Sequence, residues 1–233
     1  MINKMNIFAS YIDEVNNNLY SALLERVSRE KKQKAMKFHR LEDSISTMVG
    51  ELLLKHGLRT TYGINIDINN IPIQMGKYGK PYLPQNLGIS FNISHSGKWV
   101  VCALSNDEVG IDIEKISFDL DIDVSKYFHK NESKIINSFL GKPKYYSFYR
   151  FWTAKESYLK CTGRGLSQPL NSFYVHNGFI YDKHNRKTQY QIDYYHVAKE
   201  YQAALCHIKN TTVARENISL VKICDLFATT VIR

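Results

Sequence analysis

The sequence predicts an α+β fold made of two related halves, each a small sheet packed on helices. Two observations carry this. Helix-like and strand-like segments occur in the same order twice along the chain, and a short motif repeats with them. Glu51-Leu-Leu-Leu-Lys-His-Gly57 is echoed by Glu156-Ser-Tyr-Leu-Lys-Cys-Thr-Gly163. The first leads to His95 and the strand-like run Val100–Leu104, the second to His196 and Gln202–Cys206. A third observation is size. The 233 residues, 44% of them apolar, are ample for two small units sharing a core, and 16 tyrosines and 11 phenylalanines argue against disorder. The junction is expected near Ser105–Glu108, giving halves 1–106 and 107–233.

Residues 19–38 read as a helix or helix pair crowded with Arg26, Arg29, Lys31, Lys32, Lys34 and Lys37. Asp43 or Ser44 is placed to cap the next helix, which carries Met48, Val49, Leu52 and Leu53 and is expected to stop at Gly57. Gly76, Gly79 and Pro81 punctuate a loop. Strands follow at Ile89–Ile93, Trp99–Leu104 and Val109–Ile113, then short helices and loops over 117–147 and a strong helix at Tyr145–Cys161. Beyond Gly163 and Gly165 the pattern returns to strands at Phe173–Val175, Phe179–Tyr181, Tyr190–Val197, Tyr201–Ile208 and Leu220–Ile223.

The 31 Lys and Arg against 22 Asp and Glu give a net charge of +9. That favours an anionic partner without choosing among nucleic acid, a phosphorylated metabolite, a membrane surface or an acidic protein. The four cysteines show neither zinc spacing nor a disulfide framework, and no run has signal-peptide or membrane-spanning character. A reduced, cytoplasmic protein is expected.

Four clusters carry candidate chemistry. In Val109–Glu114, strand alternation puts Asp112 and Glu114 on one face and Ile111 and Ile113 on the other. Two like charges on one face repel unless a cation lies between them, and magnesium takes carboxylate and phosphate oxygens together. The competing reading is a strand with one face in water. On the helix Phe151–Lys160, Glu156 and Lys160 stand one turn apart. They form either a surface ion pair or a third carboxylate beside a phosphate-binding ammonium. In Phe91–Gly97, Ser94 and His95 can donate hydrogen bonds to phosphate, although a lone histidine is more often structural. Lys31 and Lys34 share a helix face, which suits a doubly charged phosphate, an acidic partner or simply solvent.

The order and spacing of Gly-Lys-Pro-Tyr at 79–82, Phe-Asn-Ile-Ser-His-Ser-Gly at 91–97, Gly-Ile-Asp-Ile-Glu at 110–114 and Phe-Trp-Thr-Ala-Lys-Glu-Ser-Tyr-Leu-Lys at 151–160 are far more specific than any one motif. Together they closely resemble the 4'-phosphopantetheinyl transferase superfamily, in its long, monomeric type serving nonribosomal peptide, polyketide and fatty-acid carrier proteins. The resemblance covers roughly residues 28–208. It implies a pseudo-dimer of two α+β halves, in agreement with the internal echo. It implies that Asp112, Glu114 and Glu156 hold magnesium with the coenzyme A pyrophosphate. Lys155 and Lys160 match the two lysines of the family helix, with Lys160 at the pyrophosphate. Ser94 and His95 match phosphate-contacting positions, Lys80 the lysine near the nucleotide, and Lys31 and Lys34 the residues that bind the 3'-phosphate. Where relatives often carry an arginine, this chain has Ser46, with Arg40 the nearest arginine upstream.

The implied activity is that of a holo-[acyl-carrier-protein] synthase type transferase. It moves phosphopantetheine to a carrier serine and releases adenosine 3',5'-bisphosphate, a transfer governed by positioning and charge stabilisation. Glu156, directly or through a metal-bound water, is the first choice to accept the serine proton, with Glu114 as the alternative. The expected partners are coenzyme A and an acidic carrier protein, docked near Lys126-Tyr127-Phe128-His129, and neither nucleic acid nor membrane. The competing functions are a nucleic-acid-binding protein, for which no recognised motif is present, and a catalytically silent scaffold, against which the retained acids and Lys160 argue.

Overall fold

The computed structural model describes residues 5–65, 72–119, 127–208 and 218–227. The first half opens with β1 (Met5–Tyr11), α1 (Asn17–Arg26), α2 (Arg29–Ala35) and α3 (Leu41–Tyr62). It continues through the short hairpin β2 (Gln74–Met75) and β3 (Pro81–Tyr82) into β4 (Ser90–Ser96) and β5 (Trp99–Ser105). The second half contains β6 (Val109–Lys115), α4 (Lys130–Asn137), α5 (Lys142–Thr162), β7 (Phe173–His176), β8 (Phe179–Asp182), β9 (Lys187–Tyr195) and β10 (Tyr201–Ile208), followed by β11 (Ser219–Leu220).

The internal echo is realised in the strand order. One sheet runs β11-β1-β5-β4 and the other β6-β10-β9-β8-β7. In each half the opening strand pairs antiparallel with the closing strand of a hairpin, β1 with β5 and β6 with β10. In each, a long helix precedes that hairpin. The two sheets face each other across one core layer, where Ile7, Ala9, Val101 and Ala103 meet Val109, Ile111, Ala203 and Leu205. The outer face of the first sheet, through Val100, Cys102 and Leu104, packs on α3. That of the second, through Ala204 and Cys206, packs on α5. The order is therefore helix, sheet, sheet, helix. Successive side chains of β5 and β10 serve different layers, as strand geometry requires. The middle of each strand, Val100–Leu104 and Ala203–Cys206, thus reads as an unbroken apolar run. Cys102, Cys161 and Cys206 are buried free thiols and Cys224 is an exposed one. Among the described residues, no helix is long and apolar enough to cross a membrane.

Two expectations are corrected. The helix expected to stop at Gly57 runs on to Tyr62, with Gly63 in the left-handed conformation at its end. Gly57 is a packing notch: a Cβ there would lie 2.5 Å from Leu104 Cδ1 and 2.9 Å from Phe8 Cε2. Asp43 lies in the first turn of α3 instead of capping it, where its charge complements the helix dipole. The second correction concerns the chain end. Residues 219–227, assigned by sequence to the second half, return to the first. β11 pairs parallel with β1, Ser10 Oγ donates to Val221 O at 2.7 Å, and Val221 and Ile223 join the core on α3.

Candidate active site

The seam between the halves is made by side chains. β6 is the edge strand of the second sheet, so half of its backbone N–H groups point away from β10. An open edge of this kind needs covering. Here β4 covers it with alternate side chains: Asn92 Oδ1, Ser94 Oγ and Ser96 Oγ accept from the N–H groups of Ile111, Ile113 and Lys115 at 2.8, 3.4 and 3.0 Å. The same strand edge that ties the halves together therefore delivers polar groups to the acidic residues of β6.

On the other side of β6, Gly110 sets the helix spacing. A Cβ on Gly110 would lie 2.1 Å from Ser157 O and 2.3 Å from Cys161 N, so only a residue without a side chain lets α5 lie this close. Asp112 and Glu114, on the same face as Gly110, consequently stand under α5 beside Glu156 and Lys160. The water-facing alternative for this strand is excluded, since Asp112 is only 3% exposed.

Lys160 Nζ reaches down to Asp112 Oδ1 at 2.5 Å and to Ser94 Oγ at 2.9 Å. Ser94 donates its hydroxyl to the same Oδ1 at 3.0 Å, and Ser96 donates to Glu114 Oε2 at 2.9 Å. Burial is the main influence on all three acids and pushes each above its ordinary carboxyl range. Asp112 rises against the pull of Lys160 and Ser94. Glu156 is raised by burial and then by the Asp112 charge. Glu114, similarly crowded, reaches about 7. Asp112 Oδ2 is buried with no hydrogen-bond partner. A buried carboxylate oxygen left unsatisfied, with two further acids destabilised by its charge, is a donor set short of a cation. Hard oxygen donors of this kind suit magnesium. Among the described residues, no three such side chains are drawn together to metal-holding distance. In their place Lys160 supplies the positive charge at Asp112.

A cleft of about 230 Å3 opens beside these groups, walled by Lys80, Asn92, Glu156, Lys160 and Gly163. A larger hollow of about 670 Å3 beneath the 164–172 and 182–186 turns contains none of the predicted residues, and the chemistry belongs to the smaller cleft. Lys80 crosses the seam, donating to Cys161 O at 2.7 Å and Val109 O at 3.2 Å. It closes the C-terminal end of α5 with a cation, as the helix dipole favours. His95 is exposed near the same cleft. Desolvation of its ring lowers its pKa, Lys160 and Lys34 lower it further, and Asp43 opposes them. Lys34 and Lys160, one from each half, thus both act on His95. Lys31 is half-buried on α2, and burial lowers its pKa.

Three predicted contacts differ. Lys155 was expected at the ligand but points into the core. It is fully buried, and all three of its N–H bonds are taken, by Glu132 Oε2 at 2.8 Å, Leu170 O at 2.9 Å and Phe173 O at 2.6 Å. An ammonium has only three donors, so Lys155 braces α5 against α4 and β7. Ser94 spends its one hydroxyl proton on Asp112 and is a support for the acid, where a phosphate donor was expected. In the expected docking stretch, Phe128 is core and His129 caps α4, leaving Tyr127 exposed; Lys126 lies outside the described residues. Sequence reasoning missed Glu132, Asn92 and Ser96. The alternation of polar residues along β4 was the available signal for the last two. Ser46, where relatives often carry arginine, is buried on α3.

The pKa of Glu114 makes a prediction. Its folded value, about 7, lies above its ordinary 4.5, so the folded state holds that proton more tightly. The resulting stability is complete below pH 4.5 and is lost as pH rises through about 7. In chelator, the melting temperature of the wild type should fall across this window more steeply than that of Glu114→Gln. Parallel slopes would contradict the assignment.

Two like-built halves that share one lysine-bearing cleft define a pseudo-dimeric α+β architecture. The family models agree. One described as "4'-phosphopantetheinyl transferase, N-terminal" matches residues 15–107, and one described as "4'-phosphopantetheinyl transferase superfamily" matches 108–206. The chain belongs to the 4'-phosphopantetheinyl transferase superfamily. It is 34% identical over 228 residues to the 4'-phosphopantetheinyl transferase gsp of Aneurinibacillus migulanus, covering 95% of this chain and 94% of that one. It is 35% identical over 176 residues to 4'-phosphopantetheinyl transferase Sfp of Bacillus subtilis, covering 73% and 76%. It is 32% identical over 158 residues to the human L-aminoadipate-semialdehyde dehydrogenase-phosphopantetheinyl transferase, covering 62% and 50%.

Proposed function

We propose that this protein transfers the 4'-phosphopantetheine group of coenzyme A to a serine of an apo carrier protein, releasing adenosine 3',5'-bisphosphate. The observation that carries this is the unpartnered buried oxygen of Asp112, whose charge acts on Glu114 and Glu156, beside the cleft that Glu156 and Lys160 line. The family and the relatives support the same reading. The carriers are those of nonribosomal peptide, polyketide or fatty-acid synthesis, and the protein acts as a cytoplasmic monomer. Residues 1–106 supply the nucleotide and 3'-phosphate contacts. Residues after 107 supply the acidic and pyrophosphate contacts.

Asp112, Glu114 and Glu156 would hold magnesium, which when bound neutralises charge on the pyrophosphate oxygens as a Lewis acid. In the reaction the serine oxygen forms a bond to the phosphorus that bears pantetheine, and the bond from that phosphorus to the bridging oxygen breaks. Lys160, only partly buried, is placed to turn from Asp112 to the departing phosphate. Glu156, which lines the cleft, accepts the serine proton. Lys31, Lys34 and His95 receive the 3'-phosphate, and Lys80 fixes the wall of the nucleotide cleft. The excess positive charge steers an acidic carrier to the site.

Mass spectrometry of an apo carrier protein incubated with coenzyme A, magnesium and this protein tests the proposal. The carrier should gain one phosphopantetheine group on its serine. No gain across apo carriers of all three pathway types would refute it.

A further inference from the structure

The helix α2, Arg29-Glu-Lys-Lys-Gln-Lys-Ala35, carries four basic side chains in seven residues and buries only Ala35. Two turns are too short to hold themselves together in water, and the like charges oppose them. Its fixed place must come from outside the helix. Glu51, in the middle of α3, supplies it. This carboxylate is 3% exposed. Its Oε1 accepts the Ser28 N–H at 2.7 Å and its Oε2 accepts the Ser28 hydroxyl at 2.8 Å. Ser28 Oγ in turn accepts from Lys31 N at 3.2 Å, capping α2. Lys55 Nζ pairs with Glu51 at 3.0 Å and also donates to Arg26 O at 3.2 Å, at the end of α1. Both ends of the α1–α2 turn are thereby fastened to one buried acid. The charge of Glu51 also favours charged Lys31, against burial and the Lys34 charge.

We propose that Glu51 is a positioning residue for the 3'-phosphate of coenzyme A, latching the start of α2 so that Lys31 and Lys34 meet that phosphate in a fixed arrangement. The inference rests on the reading that those two lysines bind the 3'-phosphate. In the sequence echo of the two halves, Glu51 stands where Glu156 stands in the second. One half uses a partly buried helix glutamate at the acidic cluster, and the other uses a buried one to hold the phosphate-binding helix.

The test pairs two measurements on Glu51→Gln, which keeps the side-chain volume and removes the charge. In ligand-free protein, amide hydrogen exchange over residues 29–35 should quicken roughly tenfold, the scale of losing a charge-assisted hydrogen bond. In assays with a carrier protein, the KM for coenzyme A should rise by a similar factor. The KM for dephospho-coenzyme A, which lacks the 3'-phosphate, and kcat should hardly move. A destabilised fold would affect both substrates alike. Unchanged exchange would overturn the latch. Faster exchange with an unchanged KM for coenzyme A would overturn its role at the phosphate. The double variant Lys31→Ala, Lys34→Ala is the control. It should raise the KM for coenzyme A far more than that for dephospho-coenzyme A. Equal effects would remove the underlying reading and the positioning role with it, whatever the exchange shows. If Glu51→Gln fails to fold, Ser28→Ala breaks the same latch while keeping the Glu51–Lys55 pair, and should give the same pattern on a smaller scale.

Discussion

Asp112→Asn should lower kcat/KM for carrier modification about a hundredfold or more while leaving the melting temperature of the ligand-free protein nearly unchanged. The substitution preserves volume and removes the charge that the site is built around. Loss of metal-assisted charge stabilisation is a matter of several kcal/mol, and each 1.36 kcal/mol is about tenfold in rate. Stability is spared because a buried carboxylate is itself costly and its repulsion of Glu114 and Glu156 disappears. Lys160, with a side chain 30% exposed, can turn to the cleft and solvent once its partner is gone. Steady-state assays and a thermal melt check the two halves of this statement. A variant retaining more than a tenth of wild-type activity would remove Asp112 from the reacting centre.

Gly110→Ala should have the largest effect on stability. The new methyl would press on backbone atoms, 2.1 Å from Ser157 O, 2.3 Å from Cys161 N and 2.8 Å from Cys161 Cα, none of which can rotate aside. Overpacking costs about 1–3 kcal/mol and sometimes more. At about 2–4 °C per kcal/mol for a chain of this size, the melting temperature should drop by about 2–12 °C. Activity should fall with it, since α5 can make room only by lifting Glu156 and Lys160 away from Asp112 and Glu114. Calorimetry of the variant gives the first value and a carrier assay the second. A melt within a degree of wild type would mean that the helix and β6 do not approach as described.

The two α+β halves were legible because each repeats helix, hairpin and apolar strands in the same order. The faces of β6 were legible because strand alternation is strict. What was missed has identifiable causes. Gly57 carries the signature of a helix stop, but the same missing side chain also serves where a helix lies on a sheet. Lys155 and Lys160 sit on one helix with similar neighbours. Only the position of Glu132, on a helix far away in sequence, shows that Lys155 is a buried brace. Ser94 looked like a phosphate donor because a hydroxyl donates or accepts equally well, and its direction was set by the acid across the seam. The return of residues 219–227 to β1 is a pairing between chain ends that no local pattern encodes.

The central claim is that the carboxylates of the second half and the basic groups of the first meet one ligand across the seam. Thermal melts of the wild type and Glu156→Gln with coenzyme A, in magnesium and in chelator, test it most directly. A ligand that binds only the folded protein stabilises it by mass action, about 2.7 kcal/mol at a hundredfold excess over its dissociation constant. The wild type should melt higher with coenzyme A plus magnesium and clearly less so with coenzyme A plus chelator. Glu156→Gln should lose the magnesium-dependent part and keep the remainder, which comes from the basic residues. An identical response with and without magnesium would contradict the account, because the acids would then not meet the pyrophosphate.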